Sequence, residues 1–466
     1  MNTQNEKSIS SPIVFHRVTR ADKSLFDRYV ASRDVRNCDM SFANIYCWQD
    51  TYRSEVAEWG GWLLVRFCYD GSHRAFMQPI GEGSRRAVIE ALAADAAERG
   101  EALVMVGLDA EWCEFLAENY PERWASYAPR SLSDYIYLAS DLATLPGRKY
   151  QPKRNHINRF TSQYGWRVEP ISTSNIADCR VVYDGWLAAH CSDCRGEVVE
   201  ALAVERAFSS FDQLPLSGRI LYADERPVAF AYGSAINHDT FCIHVEKADA
   251  TVDGASAMIN RLMAEAVADE YRYINREEDM GLAGLRFAKQ SYRPVELLQK
   301  STARMLTADE RLMMRLWSDV FGDERHVVEE FMVGYRPSAR TFVRRSDDDM
   351  VAMLHVIELV GAQLRVAYIY AVATAEQYRG RGLASGLMAE ALEWIDNSGR
   401  FDCTMLIAAD EAAQRLYSRF GFVPSDLHLT FDTEYDFGTG DTTTDIAMVR
   451  GGQDLALSAE LSLAMP

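Results

Sequence analysis

The chain of 466 residues is 48% hydrophobic and 25% charged, the balance of an ordinary globular protein, which excludes a mostly disordered one. Its length, set against roughly 150 residues per domain, points to about three domains. Lys and Arg number 49 against 68 Asp and Glu, and the net charge of −19 excludes a dedicated binder of duplex DNA and tight adsorption to an anionic membrane surface.

Nine cysteines, odd in number and scattered from Cys38 to Cys403, fit reduced thiols in a cytoplasmic setting better than a disulfide framework. Residues 1–11 are polar, with no apolar core of signal-peptide length, and no run reaches about 18 apolar residues, so no membrane span is expected. Strand-like runs at 62–68 and 103–108 flank a helix at 85–99 with Val88, Leu92 and Ala96 on one face. A short alternating strand at 134–138 leads through a turn to a basic segment: Arg148, Lys149, Lys153, Arg154, His156 and Arg159. That segment reads either as a guide for an anionic donor or as a solvated helix face. Strands at 219–223, 228–235 and 240–245 precede a helix at 255–271 and a polar run at 275–279. The last third opens with a helix at 308–321 and strands at 341–345, 350–359 and 364–374. A glycine turn, a helix at 383–397, a strand at 403–408 and a helix at 411–420 follow. Residues 431–466, rich in Thr, Gly and Asp, hold one further strand and then a loose tail. Antiparallel strands followed by strand, turn, helix, strand and helix indicate a mixed α/β layer fold.

The strongest chemical signal is the strand ending Val372-Ala373-Thr374, followed by Arg379-Gly380-Arg381-Gly382-Leu383-Ala384 at the start of a helix. The glycines let backbone approach a ligand closely, the helix N-terminus favours an anion, and the arginines add cationic side chains beside a pyrophosphate. The lysine and hydroxyl of a nucleotide P-loop are missing, as is the third glycine of the dinucleotide fingerprint. The stretch resembles the acetyl-CoA motif of the GNAT N-acetyltransferase superfamily, Arg/Gln-x-x-Gly-x-Gly/Ala, through Arg379, Gly382 and Ala384, the register in which the helix begins, or through Gln377, Gly380 and Gly382. Downstream, the run from Asp410 through Leu416-Tyr417 to Gly421-Phe422 is similar to a second motif of that superfamily, with Asp410 in place of Asn. That change leaves the local helix-capping contact open. The resemblance covers about residues 305–430 and implies acetyl-CoA as cosubstrate. It implies that the backbone of Val372 to Thr374 pairs with the pantetheine arm and that amides from Arg379 to Ala384 hold the pyrophosphate. Tyr417 would then act as general acid toward the departing thiolate. The general base is not readable; Glu358 and His355, on the preceding strand, are the candidates.

Residues 241–300 carry a dense polar constellation: His244, Glu246, Lys247 and Asp249, then Asn275, Arg276, Glu277, Glu278, Asp279, Arg286 and Lys289. Alternation puts His244 and Glu246 on one face of a strand. Such crowding forms either a site or a structural ion-pair network. A cleft for an anionic donor keeps Lys247, Arg286 and Lys289 pointing inward, with Glu246 or Glu278 to accept a proton; a network pairs them off individually. Together with Lys153, Arg154, Asn155 and His156, these stretches resemble the family built around the C-terminal domain of phosphatidylglycerol lysyltransferase, over about residues 13–300. The resemblance implies a tandem pair of GNAT-like lobes and kinship with enzymes that move an aminoacyl group from tRNA, although the transmembrane helices of the membrane synthetases are missing. His190-Cys191-x-x-Cys194 lacks a clear fourth ligand, so no metal is expected.

The expected architecture is three GNAT-like lobes of mixed α/β fold, at 12–165, 166–302 and 303–450, with a loose tail at 451–466. The expected activity is transfer of acetyl from acetyl-CoA to a primary amine of a small molecule or peptide, by direct attack. Two alternatives concern the N-terminal module: aminoacyl transfer from aminoacyl-tRNA, or recognition of the acceptor or a protein partner without catalysis.

Overall fold

The computed structural model describes residues 12–465 apart from 32, 70, 191–194, 362, 436, 438–445 and 452–459, with the side chains of 190–199 and 460 also outside the description. The cysteine pair Cys191 and Cys194 therefore lies outside the described residues. Two compact units result, Met1–Trp112 with Ala128–Thr302 and Cys113–Tyr127 with Ala303–Pro466.

In the first unit, strands β1 (His16–Arg17), β2 (Glu55–Trp59), β3 (Trp62–Cys68), β4 (Arg74–Met77) and β6 (Val104–Leu108) are neighbours in that order, with β5 (Ile80–Gly81) beside β3. Helix α1 (Phe42–Tyr52) starts at Ser41, whose Oγ accepts from the Asn44 N–H at 3.3 Å. Helix α2 (Arg85–Glu98) is the crossover that lets β4 and β6 run parallel, and it buries Val88, Ile89, Leu92 and Ala96.

The second sheet orders Glu296–Leu298 (β13), Asp134–Leu138 (β7), Tyr273–Asn275 (β12), Thr240–Ala248 (β11), Arg226–Ala235 (β10), Ser217–Ala223 (β9) and Trp166–Pro170 (β8). Strand β10 is buried on both faces, with Phe230 and Tyr232 in one apolar cluster and Ala229 and Ala231 in another. Helix α3 (Gln151–Gln163) packs on helix α4 (Ala255–Val267). The helix expected to run to 271 stops at Val267, and β12 begins at Tyr273 and runs parallel to β11. Strand β7 was expected in a lobe ending at 165, but it pairs with β12 and β13. Strand pairing is a tertiary choice that local pattern does not encode.

In the second unit, helix α6 (Ala308–Phe321) is fixed at both ends. Thr307 and Glu310 form a reciprocal capping box, and Gly322 closes the helix at φ +74. Its sheet runs β14 (Arg340–Ser346), β15 (Asp349–Gly361), β16 (Leu364–Thr374), β17 (Cys403–Ala408), β20 (Ile446–Arg450) and β18 (Val423–Pro424). Helix α7 (Leu383–Ser398) connects the parallel strands β16 and β17 and buries Leu387, Met388, Ala391, Leu392 and Ile395 along one stripe. Within the stretch expected as a loose tail, Glu460–Leu463 forms strand β21, parallel to β19 (His428–Phe431).

Candidate functional sites

Strands β16 and β17 share parallel register from Val366↔Cys403 to Tyr368↔Met405. Beyond Tyr368 the other edge of β16 is bulged: Met353 faces Ala373 and His355 faces Tyr370, so Ala371 and Val372 share one partner, and Ala371 takes φ +51. A bulge bends its strand and ends regular pairing. β16 finishes at Thr374, whose buried Oγ1 has no hydrogen-bond partner among the described residues.

The turn that follows is open on its outer side. Gly380 and Gly382 have φ of +75 and +78, and a Cβ on either would meet no protein atom within 4 Å. Gly382 is the N-cap of α7 and offers no side chain to its first-turn N–H groups, so the helix presents these donors and the positive end of its dipole outward. The chain folds the turn itself: Arg379 Nε donates to the Thr374 carbonyl at 3.3 Å, and Arg381 donates to that of Gln377 at 3.1 Å. Arg379, Gly380, Arg381 and Gly382 are exposed, whereas Leu383 and Ala384 are partly buried as the helix begins.

Helix α8 (Glu411–Ser418) resolves the capping contact. Asp410 has extended backbone, and its Oδ1 accepts from the Ala413 N–H at 2.7 Å, so the aspartate serves as the cap. Tyr417 is buried, with its ring edge-on to Phe422 at 6.2 Å. Burial, and secondarily Asp410, push its hydroxyl up to about 12, so it keeps its proton at neutral pH.

Neither candidate base stands at the turn. Glu358 pairs with Ala367, whereas Thr374 pairs with Ala352. At roughly 3.3 Å per residue, the two positions on β15 are ~20 Å apart. Glu358 is moreover held by Arg400 and Arg365. His355 is fully buried between Trp317 and Phe331, and its Nδ1 lies 2.9 Å from Thr341 Oγ1. Burial and the Arg336 charge push its pKa down to about 3, which leaves the ring neutral and weakly basic.

In the first unit the polar constellation is gathered, but most of its cations are already paired. Lys247 is 2.9 Å from Glu200 and lies over the Trp186 ring. Arg286 grips Asp279 through Nε and Nη2 at 2.9 and 3.0 Å; Arg130 and the Tyr135 hydroxyl bond the same carboxylate. Lys289 is buried and donates to the carbonyls of Arg276 and Glu278. Asn275 Nδ2 donates to Asp134 and to the Arg36 carbonyl, both at 2.7 Å. The inward-pointing arrangement of Lys247, Arg286 and Lys289 expected for a donor cleft is therefore not formed; each is individually satisfied.

Two clusters remain. His244 Nε2 is 2.8 Å from Ser234 Oγ and 3.3 Å from Ser41 Oγ, while Nδ1 is 2.9 Å from Glu277 Oε1. In the other, Glu246 Oε1 accepts from Arg276 Nη2 at 3.0 Å and Oε2 accepts from Asn260 Nδ2 at 2.9 Å. The far ends of both partners, Arg276 Nη1 and Asn260 Oδ1, are buried with no hydrogen-bond partner among the described residues, the Arg276 guanidinium lying over the Tyr292 ring at 4.9 Å. Lys153 lies over the Tyr292 ring at 4.0 Å, and burial, then Arg276, push its pKa down to about 8. Four other members of the basic segment are occupied: Lys149 pairs with Asp141 at 3.2 Å, Arg154 bonds the Gly147 carbonyl at 2.8 Å, and Arg159 and His156 pair with Asp253.

Residues 31–304 match the family described as phosphatidylglycerol lysyltransferase, C-terminal, and residues 307–422 match the acetyltransferase (GNAT) family. The chain belongs to the lysyltransferase C-terminal family. A GNAT domain follows that module, and both parts have acyltransferase-type folds. A conserved protein of unknown function from Bacteroides thetaiotaomicron is 40% identical, covers 63% of this chain and 100% of its own, and superposes with a TM-score of 0.61. The L-PGS of Bacillus licheniformis is 18% identical over 53% of this chain and 81% of its own, with a TM-score of 0.40. An uncharacterized protein of Mycoplasmoides gallisepticum is 23% identical over 43% of this chain, and the chain spans 64% of that curated relative. Among the described residues, no helix is long and apolar enough to cross a membrane.

Within the lysyltransferase-related module the sequence reading named Glu278 but passed over the charged groups it meets, Lys300, Asp134 and Asp39. Lys300 Nζ lies 2.8 Å from Asp134, 3.0 Å from Asp39 and 3.4 Å from Glu278. Burial alone would lower its pKa, but Asp134 and Asp39 outweigh burial and hold it well above the usual lysine value. Lys300 also forms part of the wall of a cavity of about 300 Å³, with Arg36, Trp62, Gln78 and Trp112. No motif links these positions, since Lys300 and Asp39 are 261 residues apart.

Proposed function

We propose that the GNAT domain is an acetyl-CoA-dependent N-acetyltransferase that moves an acetyl group to a primary amine of a small molecule or peptide. The supporting observation is the way β16 leaves β17 after Tyr368 and ends at Thr374, with an unpartnered hydroxyl ahead of an open Gly380–Gly382 turn and an uncapped helix start. Acetyl-CoA, when bound, supplies an acetyl group activated as a thioester. The backbone of Val372 to Thr374 offers hydrogen bonds to its pantetheine amides. The N–H groups from Gly380 to Ala384 hold the diphosphate, since that of Arg379 already donates to the Glu376 carbonyl at 3.1 Å, with the side chains of Arg379 and Arg381 beside it. Tyr417, protonated at neutral pH, gives its proton to the departing thiolate. The test is thiol release from acetyl-CoA by the full chain, across polyamines, amino sugars and peptides with free N-termini. One amine class should accelerate release; no amine-dependent release from any class would contradict the reading.

A second reading concerns the lysyltransferase-related module and rests on Arg276 Nη1 and Asn260 Oδ1. A buried donor and a buried acceptor left open beside one carboxylate call for a ligand carrying both partners. The aminoacyl end of a charged tRNA carries an acceptor carbonyl and an amino group, with phosphates for the half-buried Lys153. Retention of lysyl-tRNA by wild type, weakened by Arg276→Met and by salt, is the expected result. Absence of lysyl-tRNA retention in wild type would favour a module that only recognises an acceptor or a protein partner, and equal retention by the variant would remove Arg276 from the donor site.

A further inference from the structure

We propose that Cys242, His244 and Glu277 form a binding site for one zinc-class divalent cation, outside the acyl-transfer chemistry considered above and contrary to the sequence expectation of no metal. Strand β11 is bulged at His244, since Gly233 faces Ile243 and Tyr232 faces Val245; the bulge sets His244 beside Ser234, which is opposite Cys242, and β12 brings Glu277 to them because Cys242 is in register with Asn275. The thiol sulfur, His244 Nδ1 and a Glu277 oxygen all lie within 4.8 Å of one another. The Nδ1–Oε1 separation is 2.9 Å and the Sγ–Oε1 separation 3.7 Å. A tetrahedral zinc ion with ligand bonds of about 2.0–2.3 Å sets its ligand atoms ~3.3–3.6 Å apart, so both separations need adjust by less than about half an ångström.

Three features of the surroundings fit a metal. The distal ring nitrogen of His244 meets the buried hydroxyls of Ser234 and Ser41, contacts of the kind that fix the orientation of a metal-bound imidazole. Glu277 is held at φ +57, with its N–H donating to Asn275 Oδ1 at 2.6 Å, so its carboxylate is aimed by the backbone. Its side chain keeps 25% of its exposure, which leaves an entry path and a fourth position for water. The donor set of one thiolate, one imidazole and one carboxylate suits Zn²⁺ or Co²⁺ rather than Mg²⁺ or Ca²⁺.

The neighbouring group of Cys38, Asp134 and Glu278 shows what a filled position looks like. There the Lys300 ammonium already contacts all three ligand atoms, at 3.6, 2.8 and 3.4 Å. No lysine or arginine pairs with Glu277 among the described residues.

The test is a titration of the chelator-stripped full chain with Co²⁺, read by absorption. A thiolate-to-cobalt charge-transfer band saturating at one equivalent, and bleached by Zn²⁺, is expected. Cys242→Ser should abolish the band, whereas the double variant Cys191→Ser with Cys194→Ser should keep it. Ser234→Ala should weaken binding by about 10- to 100-fold. If Cys242→Ser does not fold, X-ray absorption of the zinc-loaded wild type decides, and one sulfur with nitrogen and oxygen ligands is expected. Absence of the band in wild type, its survival in Cys242→Ser, or a sulfur count other than one would overturn the site and leave an ion pair of His244 with Glu277.

Discussion

The ammonium of Lys300 sits 2.8 Å from Asp134 Oδ1, and solvent reaches neither side chain appreciably. Asp39 and Glu278 complete the ring around the same nitrogen. Removing the single cation strands three acids in a place where burial penalises charge. Lys300→Met should destabilise the chain by about 3–5 kcal/mol. Urea unfolding measures this, and a midpoint equal to wild type would show that the network is solvated.

Asp279 gives the module a defined acid limb. Burial favours its neutral form, but the bonds from Arg286, Tyr135 and the Gly281 N–H outweigh burial and hold the pKa below the usual aspartate value. A depressed folded value stabilises the fold above the unfolded pKa of about 3.9 and loses that contribution as pH falls through the folded value. Denaturation at pH 5 and pH 3 should show the loss in wild type. Asp279→Asn should be less stable at pH 5 and should flatten this part of the pH dependence.

These two networks also mark where sequence reasoning stops. The GNAT domain was legible because its signals are local: near-continuous apolar runs at 350–359 and 364–374, paired glycines, then a stripe recurring at helical spacing from Leu387 to Ile395. The same reading located His244, Glu246 and Arg276 as a polar group, since they fall in one short stretch. It could not find Lys300 or Asp39, or attach Lys153 and Asn260 to Glu246 and Arg276, because those meetings depend on strands and helices from distant segments. The register of Glu358 was hidden for a related reason. Its place on the strand before the motif was right, but register put it opposite Ala367, at the far end from Thr374.

Lys289 separates structure from catalysis in the module. Its buried ammonium donates to the Arg276 and Glu278 carbonyls. Lys289→Ala leaves both acceptors without it, at a cost of about 1–3 kcal/mol each. A lowered melting temperature is expected; an unchanged one would return Lys289 to the list of donor-binding groups.

Tyr417 is assigned to the leaving thiolate, where a proton matters chiefly in the transition state. Tyr417→Phe should lower kcat on the order of 10²-fold while acetyl-CoA affinity changes little. Wild-type kcat in the variant would mean that Tyr417 only packs against Phe422.

Docking of acetyl-CoA on the turn from Arg379 to Ala384, as proposed, is tested by calorimetric titration of the full chain with acetyl-CoA. A side chain at Gly382 would project into the open space proposed for the diphosphate, and at φ +78 it adds about 1–2 kcal/mol of backbone strain without meeting any protein atom within 4 Å. Wild type should bind one acetyl-CoA per chain, and Gly382→Val, checked for folding by circular dichroism, should lose at least about tenfold in affinity, a difference of about 1.4 kcal/mol. Equal affinities in the two proteins, or no heat of binding in wild type, would contradict the account.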